Sequence, residues 1–330
     1  MASTVTSGTR PYLLLVTTML LWGSGFSASK VIVDHLPHSV VATLRFGGGA
    51  LALLVALRLS RQAGERRRAS ARDWARAAGA GVLGVFVYNV LFFWGLSLAP
   101  AIDGSTIVPV MSPVLTTSFL LVMGRERASV ARVAGLAIGA IGAVVFFVGS
   151  GGEAGAGQGR LAGDLLFLLS ACCWAAFTLT GRRVLAGIDP LKATTYATVS
   201  GAVLLAIYSA PSAAEVAWHD VPAYVWLNVI FVALGPTAVA NLLYYRGIRD
   251  VGPASASIMM FVVPVVGTAC SALFLGESFG TVQAAGAAVL LAGAVLAVTQ
   301  GRFPVRRRAI VQEPAGARTS TGPPGTIEDA

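Results

Sequence analysis

The sequence predicts an all-α integral membrane protein with ten transmembrane helices, arranged as two inverted five-helix repeats. Three observations carry this: an apolar composition, ten apolar stretches of bilayer-crossing length, and a self-alignment of one half of the chain on the other. Of 330 residues, 55% are hydrophobic and only 12% charged, too few charges for an ordinary water-facing surface. The charges cluster and leave apolar stretches of roughly 20 residues, about what a helix needs to cross a hydrocarbon core near 30 Å thick. A net charge of +9 would suggest nucleic acid for a soluble chain. Here the arginines fall between apolar segments, where they set topology, so no nucleic-acid partner is expected.

Helices are expected at 12–33, 39–59, 77–98, 104–123, 130–149, 163–182, 190–209, 223–244, 253–275 and 281–299. The first follows Arg10 and lacks a small-residue cleavage site, so it is expected to stay in the mature protein. Connections are short except for the arginine-rich 60–76 and the Gly/Ala-rich 150–162, a natural midpoint linker. The chain therefore divides into a cytoplasmic N-terminus (1–11), a first five-helix unit (12–149), an external linker (150–162), a second unit (163–299) and a disordered cytoplasmic tail (300–330). That tail ends in a Pro/Gly/Thr-rich run unable to bury enough apolar area to fold alone.

Loop arginines test the count, because cytoplasmic loops retain positive charge. With a cytoplasmic N-terminus, the inside collects Arg10, then Arg58 to Arg76, then Arg125, Arg127 and Arg132. It also collects Arg182, Arg183, Lys192, Arg246, Arg249 and the basic start of the tail, while the external loops receive Arg160 alone. A multi-pass protein of a bacterial-type inner membrane, with both termini cytoplasmic, follows.

Sliding the chain on itself by 152 positions aligns Trp22 with Trp174, Gly49 with Gly201, Trp74 with Trp226, Asn89 with Asn241 and Gly95 with Gly247. After a one-residue gap the shift of 151 pairs Ile107 with Ile258, Pro113 with Pro264, Glu126 with Glu277 and Gly142 with Gly293. Five crossings per repeat is an odd number, so the second repeat enters the membrane inverted. That symmetry places a site near the midplane and lets two related conformations open to opposite sides.

At these residues the chain resembles the EamA-type members of the drug/metabolite transporter superfamily. The matching residues are Trp22-Gly23-Ser24-Gly25-Phe26, Leu44-Arg45-Phe46, Pro113 with Glu126, Gly163-Asp164, Cys173-Trp174-Ala175, and Pro264 with Gly276-Glu277. The resemblance covers about 12–299 and implies a proton- or gradient-driven carrier, often an exporter of amino acids, related metabolites or toxic compounds. It implies no particular cargo. It also leaves the protein as monomer or homodimer.

Lys30 and Arg45 are the basic residues expected inside apolar segments, where a charge needs water or a partner. Lys30 fits snorkelling beside Asp34. Arg45 is expected deeper, and its repeat partner is Ala197; packing against carbonyls or an acid and a place in the translocation path both fit it. An anionic or carboxylate-bearing cargo would suit its charge. Glu126, Glu277, Asp103, Asp164 and Asp189 all precede apolar runs, where an acid suits a helix N-terminus. Pro109, Pro113, Pro236 and Pro264 are expected to bend their helices. Glycines along the fifth and tenth helices permit close approach, and Cys172, Cys173 and Cys270 read as buried thiols without chemistry, since no spacing suggests a metal site or a disulfide.

The candidate site is one matched constellation. Asn89, Phe92 and Phe93 in the third helix correspond to Asn241, Tyr244 and Tyr245 in the eighth, and Trp22 with Phe26 corresponds to Trp174 with Thr178. The i, i+3, i+4 spacing puts each Asn beside its aromatics on one face, and a lipid-facing amide would lack partners. The predicted substrate-binding residues are Trp22, Arg45, Asn89, Phe93, Trp174, Asn241, Tyr244 and Tyr245. Asn side chains that bridge helices are the competing structural role. A channel is disfavoured for want of a filter-like loop. An enzyme is disfavoured because no nucleophile, base and metal-ligand set shares a layer and no phosphate loop occurs; no cofactor or metal is expected.

Overall fold

The computed structural model describes residues 10–62, 70–124, 129–151, 158–184, 190–244 and 259–299. Tyr245, Glu126 and Asp189, singled out above, lie outside them, as do the N-terminal nine residues and the tail from 300. Among the described residues the chain is helical without strands. It runs α1 (Arg10–Val33), α2 (His38–Gln62), α3 (Ala71–Leu98), α4 (Ala101–Val122), α5 (Val130–Gly151), α6 (Gln158–Val184), α7 (Pro190–Ala214), α8 (Ala223–Tyr244), α9 (Val262–Leu275) and α10 (Thr281–Thr299). All but α9 are long and apolar enough to cross a bilayer, and the ten helices agree with the expected fold class.

Helix ends depart from the expected ones where polar turns extend apolar spans. α3 starts at Ala71 rather than 77 because Ser70 and Asp73 form a capping box: Asp73 N donates to Ser70 Oγ and Ser70 N to Asp73 Oδ2, each at 3.1 Å. The ninth helix, expected from 253, is helical from Val262, with a turn at Met260–Phe261 and residues 253–258 outside the described set. Pro264 therefore stands in a first turn, where a missing amide proton costs nothing, and does not kink a helix interior. α4 continues unbroken through Pro109 and Pro113.

α5 and α10 pack along their whole lengths, α2 lies on α7, and α1 on α9 as α6 lies on α4. The α5–α10 seam is built from the anticipated glycines. A Cβ on Gly142 would collide with the backbone of Leu290, and one on Gly286 or Gly293 with that of Phe146 or Gly139. Gly142→Leu is expected to cost about 1–3 kcal/mol or more. Gly47→Ala, with nothing within 4 Å, should be neutral or gain up to about 1 kcal/mol of helix propensity. Thermal unfolding in a mild detergent would compare the two.

The outside of the bundle carries large apolar side chains such as Leu51, Val122 and Leu273, as expected where lipid is the solvent. The expectation of buried thiols fails: Cys172 is exposed, and Cys173 and Cys270 are only half-buried. Apolar lipid-facing and core-facing positions look alike in sequence, so hydropathy could not separate them.

Candidate functional site

α3 and α8 share an irregularity. Each begins and ends α-helical, but Val82–Val87 in α3 and Ala233–Val239 in α8 are wound as π-helix. The two segments occupy matching repeat positions, with Gly84 opposite Pro236. A π turn holds an extra residue and leaves carbonyls poorly served by the helix, a feature frequent at functional sites.

The two asparagines serve those carbonyls. Asn89 Nδ2 donates to Val85 O at 2.7 Å, and Asn241 Nδ2 to Thr237 O at 2.6 Å. Each amide thus bonds within its own helix. Asn89 is buried and its Oδ1 has no hydrogen-bond partner, whereas Asn241 borders a cavity. Thr237 Oγ1 donates to Val232 O at 2.8 Å, five residues back, which follows the π spacing.

The cavity measures about 160 Å³ and is walled by α1, α2, α3, α4, α6, α7, α8, α9 and the turn before α9. Trp22, Phe26, Phe46, Tyr88, Phe92 and Trp174 supply aromatic faces. They hold one another: Trp22 lies 4.8 Å from Tyr244, Phe26 5.5 Å from Phe92, and Tyr88 5.3 Å from Trp174, between ring centroids. The indole Nε1 of Trp22 donates to Pro236 O at 3.1 Å.

Arg45 enters this apolar wall from α2. Its Nε donates to Thr237 Oγ1 at 3.2 Å and its Nη1 to Ser29 Oγ at 3.4 Å, while the guanidinium lies 5.4 Å from the ring centre of Phe46 and 5.8 Å from that of Phe93. Both rings lie within cation–π range.

Of the predicted site residues, Trp22, Arg45, Trp174 and Asn241 line the cavity. Phe93 is fully buried behind Arg45, and Tyr244 stands behind Trp22, its hydroxyl 3.5 Å from Met260 Sδ. Phe177, not Thr178, accompanies Trp174 into the wall. Sequence reasoning missed Tyr88, Thr237 and the Gly84/Pro236 pair; a glycine and a proline sharing a repeat position was the available signal for the last.

One end of the bundle is closed by a polar cluster. Asp103, fully buried in the first turn of α4, accepts from Arg160 Nε at 2.7 Å and Nη2 at 3.1 Å and from Gln283 Nε2 at 2.7 Å; Arg160 Nη2 also reaches Gln283 Oε1 at 2.7 Å. Asp103 is thus an ion-pair residue tying α4, α6 and α10 together, beyond the capping role expected of it. Glu277 does cap a helix, but not the one that follows it. Its carboxylate accepts from the amides of Ala101 and Ile102 at 2.9 and 2.8 Å, at the start of α4. Burial pushes its pKa above the usual carboxylate value, against the pull of those amides and of nearby Lys30. Lys30 pairs with Asp34 at 3.1 Å as anticipated and donates to Leu96 O at 3.0 Å, in the last turn of α3, where a cation suits the helix dipole.

The comparison with known proteins agrees with this architecture. Residues 9–148 and again 161–299 match the EamA-like transporter family. The uncharacterized transporter YyaM of Bacillus subtilis is 27% identical, over 89% of this chain and 95% of that protein. A probable terminal-alkyne amino-acid exporter of Streptantibioticus cattleyicolor is 26% identical, over 86% and 91%. The aromatic amino acid exporter YddG of Ancylobacter novellus is also 26% identical, over 76% and 84%. A crystal structure 22% identical shares the fold, with a TM-score of 0.60 over 89% of this chain and 97% of that one. Matched twice and across nearly its full membrane-embedded length, this chain belongs to the EamA-like transporter family.

Proposed function

We propose that the protein is a secondary active transporter that moves a small metabolite across a bacterial-type inner membrane by alternating access between two inverted repeats, outward and at the expense of a proton or other gradient. The observation that carries this reading is the composition of the cavity wall. Trp22 and Trp174, Arg45 and Ala197, Phe46 and Thr198, Gly84 and Pro236, and Ser112 and Val263 are repeat-related pairs, and all ten residues line it. A cavity on the relating axis is what a two-state carrier uses as its fixed site. The lining residues of α7 lie in its first turns and those of α6 and α8 toward their ends. Those of α2 and α4 lie in the half nearer the Asp103 cluster, so the cavity sits near the middle of the bundle. Exporter names among the relatives support the outward direction.

Counterflow in reconstituted vesicles tests the reading: saturable exchange of a labelled metabolite, accelerated by the same compound inside, is expected. Flux that is linear in concentration would mark a pore. The arginine distribution supports a cytoplasmic position for both termini and the 60–76 loop, so an alkaline phosphatase fusion at Ala69 should be inactive. Asn241→Ala should lower transport about tenfold, because it strips a cavity-side amide and frees the Thr237 carbonyl at a cost of about 1–2 kcal/mol. Normal transport per folded molecule would make that amide structural.

A further inference from the structure

We propose that the substrate class is a small organic monoanion, a carboxylate on a single-ring or similarly sized apolar body, and not a zwitterion; this rests on the transporter reading and specifies its cargo. Among the described residues Arg45 is the one charged side chain in the cavity wall. Only neutral hydroxyls accept from it, those of Thr237 and Ser29, the second at the 3.4 Å limit of a hydrogen bond. Most of the guanidinium's N–H groups therefore have no protein acceptor. No described acid forms an ion pair with Arg45. A cation held at membrane depth without a counter-ion is costly, and an arriving carboxylate supplies that counter-ion with fork-to-fork geometry.

The rest of the wall argues against a second, positive charge on the cargo. An ammonium needs a carboxylate or several free acceptors, and among the described residues the wall contains no acid. Three carbonyls of the π segments are already bonded: Val85 O by Asn89, Thr237 O by Asn241 and Pro236 O by the Trp22 indole. An ammonium would also share an apolar space with the guanidinium and be repelled by it. Size adds a third constraint. The cavity, about 160 Å³, compares with the roughly 150 Å³ that accommodates a benzene ring, and flat faces such as Trp22 and Phe92 suit a planar or extended body.

Three probes with one skeleton separate the possibilities: 3-phenylpropanoate, L-phenylalanine and 2-phenylethylamine, titrated calorimetrically into the full chain in lipid nanodiscs. The anion is expected to bind at least about tenfold more tightly than the zwitterion, reflecting its unmatched ammonium, with no measurable binding of the amine. Arg45→Lys, which keeps the charge and loses the fork, should weaken the anion but preserve this order. Equal or tighter binding of L-phenylalanine, binding of the amine, or no binding of the anion overturns the proposal. The same probes in vesicle counterflow keep the two readings apart. Saturable flux of the zwitterion but not the anion overturns the substrate class and leaves the transporter. Binding of the anion without saturable flux of any probe overturns the transporter and leaves the class.

Discussion

Arg45→Gln is expected to lower saturable transport by about thirtyfold or more while the folded yield in detergent stays near that of the unsubstituted protein. Removing one member of a desolvated charge pair costs at least about 2 kcal/mol, or about thirtyfold, and on the proposed reading that pair is Arg45 and a carboxylate cargo. The empty protein loses little. Arg45 gives it two long hydrogen bonds to hydroxyls and two cation–π contacts, set against the cost of a charge without a counter-ion. Glutamine keeps hydrogen-bonding capacity toward Thr237 and removes that cost. Gel-filtration yield and vesicle flux, measured on the same preparation, decide the matter: a large fall in yield with unchanged flux per folded molecule would make Arg45 a packing residue.

Arg160→Met should have the opposite profile, a loss of stability of about 3–5 kcal/mol. Asp103 has no exposed side-chain surface and Arg160 only 11%, so deleting the guanidinium leaves a carboxylate buried with Gln283 and Asp164 as hydrogen-bond partners and no cation. Adding Asp103→Asn to Arg160→Met should recover most of the loss, because an amide is far cheaper to bury than an ion. Unfolding in mild detergent, followed for both single variants and the double, yields the coupling directly. A cost below about 1 kcal/mol for Arg160→Met would mean that the pair behaves as a solvated surface bridge.

The fold was legible because lipid imposes one rule on every crossing: backbone groups must be satisfied within the segment, so a long apolar run becomes a helix. The case for a repeat rests on the sequence, where Trp22 and Asn89 recur at a shift of 152 and Pro113 and Glu126 at 151. What escaped was decided between helices. Glu277 precedes α10 in sequence, yet its carboxylate reaches the amides of α4, a choice that local capping rules do not contain. Asp103 had an equally local reading until Arg160 and Gln283, distant in sequence, closed around it. The aromatics at the right spacing divided into Phe92 in the wall and Phe93 behind it, since neighbours on a helix differ in direction by about 100°. The π segments carry no simple signature, because the surplus residue is tolerated only where the packing around it holds it.

That surplus residue gives α3 and α8 mechanical slack. In each helix it sits partway along, in α3 between Ala71–Gly81 and Tyr88–Leu98. Passing it from one side to the other would turn one half against its remainder by about 100° and slide it by about 1.5 Å, with little net change in the number of backbone hydrogen bonds. Tyr88, just past the π turn in α3, would swing with its half, and so would Asn241 in α8. The glycine seam at α5–α10 and the Asp103 ion pair lie outside both π segments, so the slack in α3 and α8 is separate from the contacts that fasten the bundle.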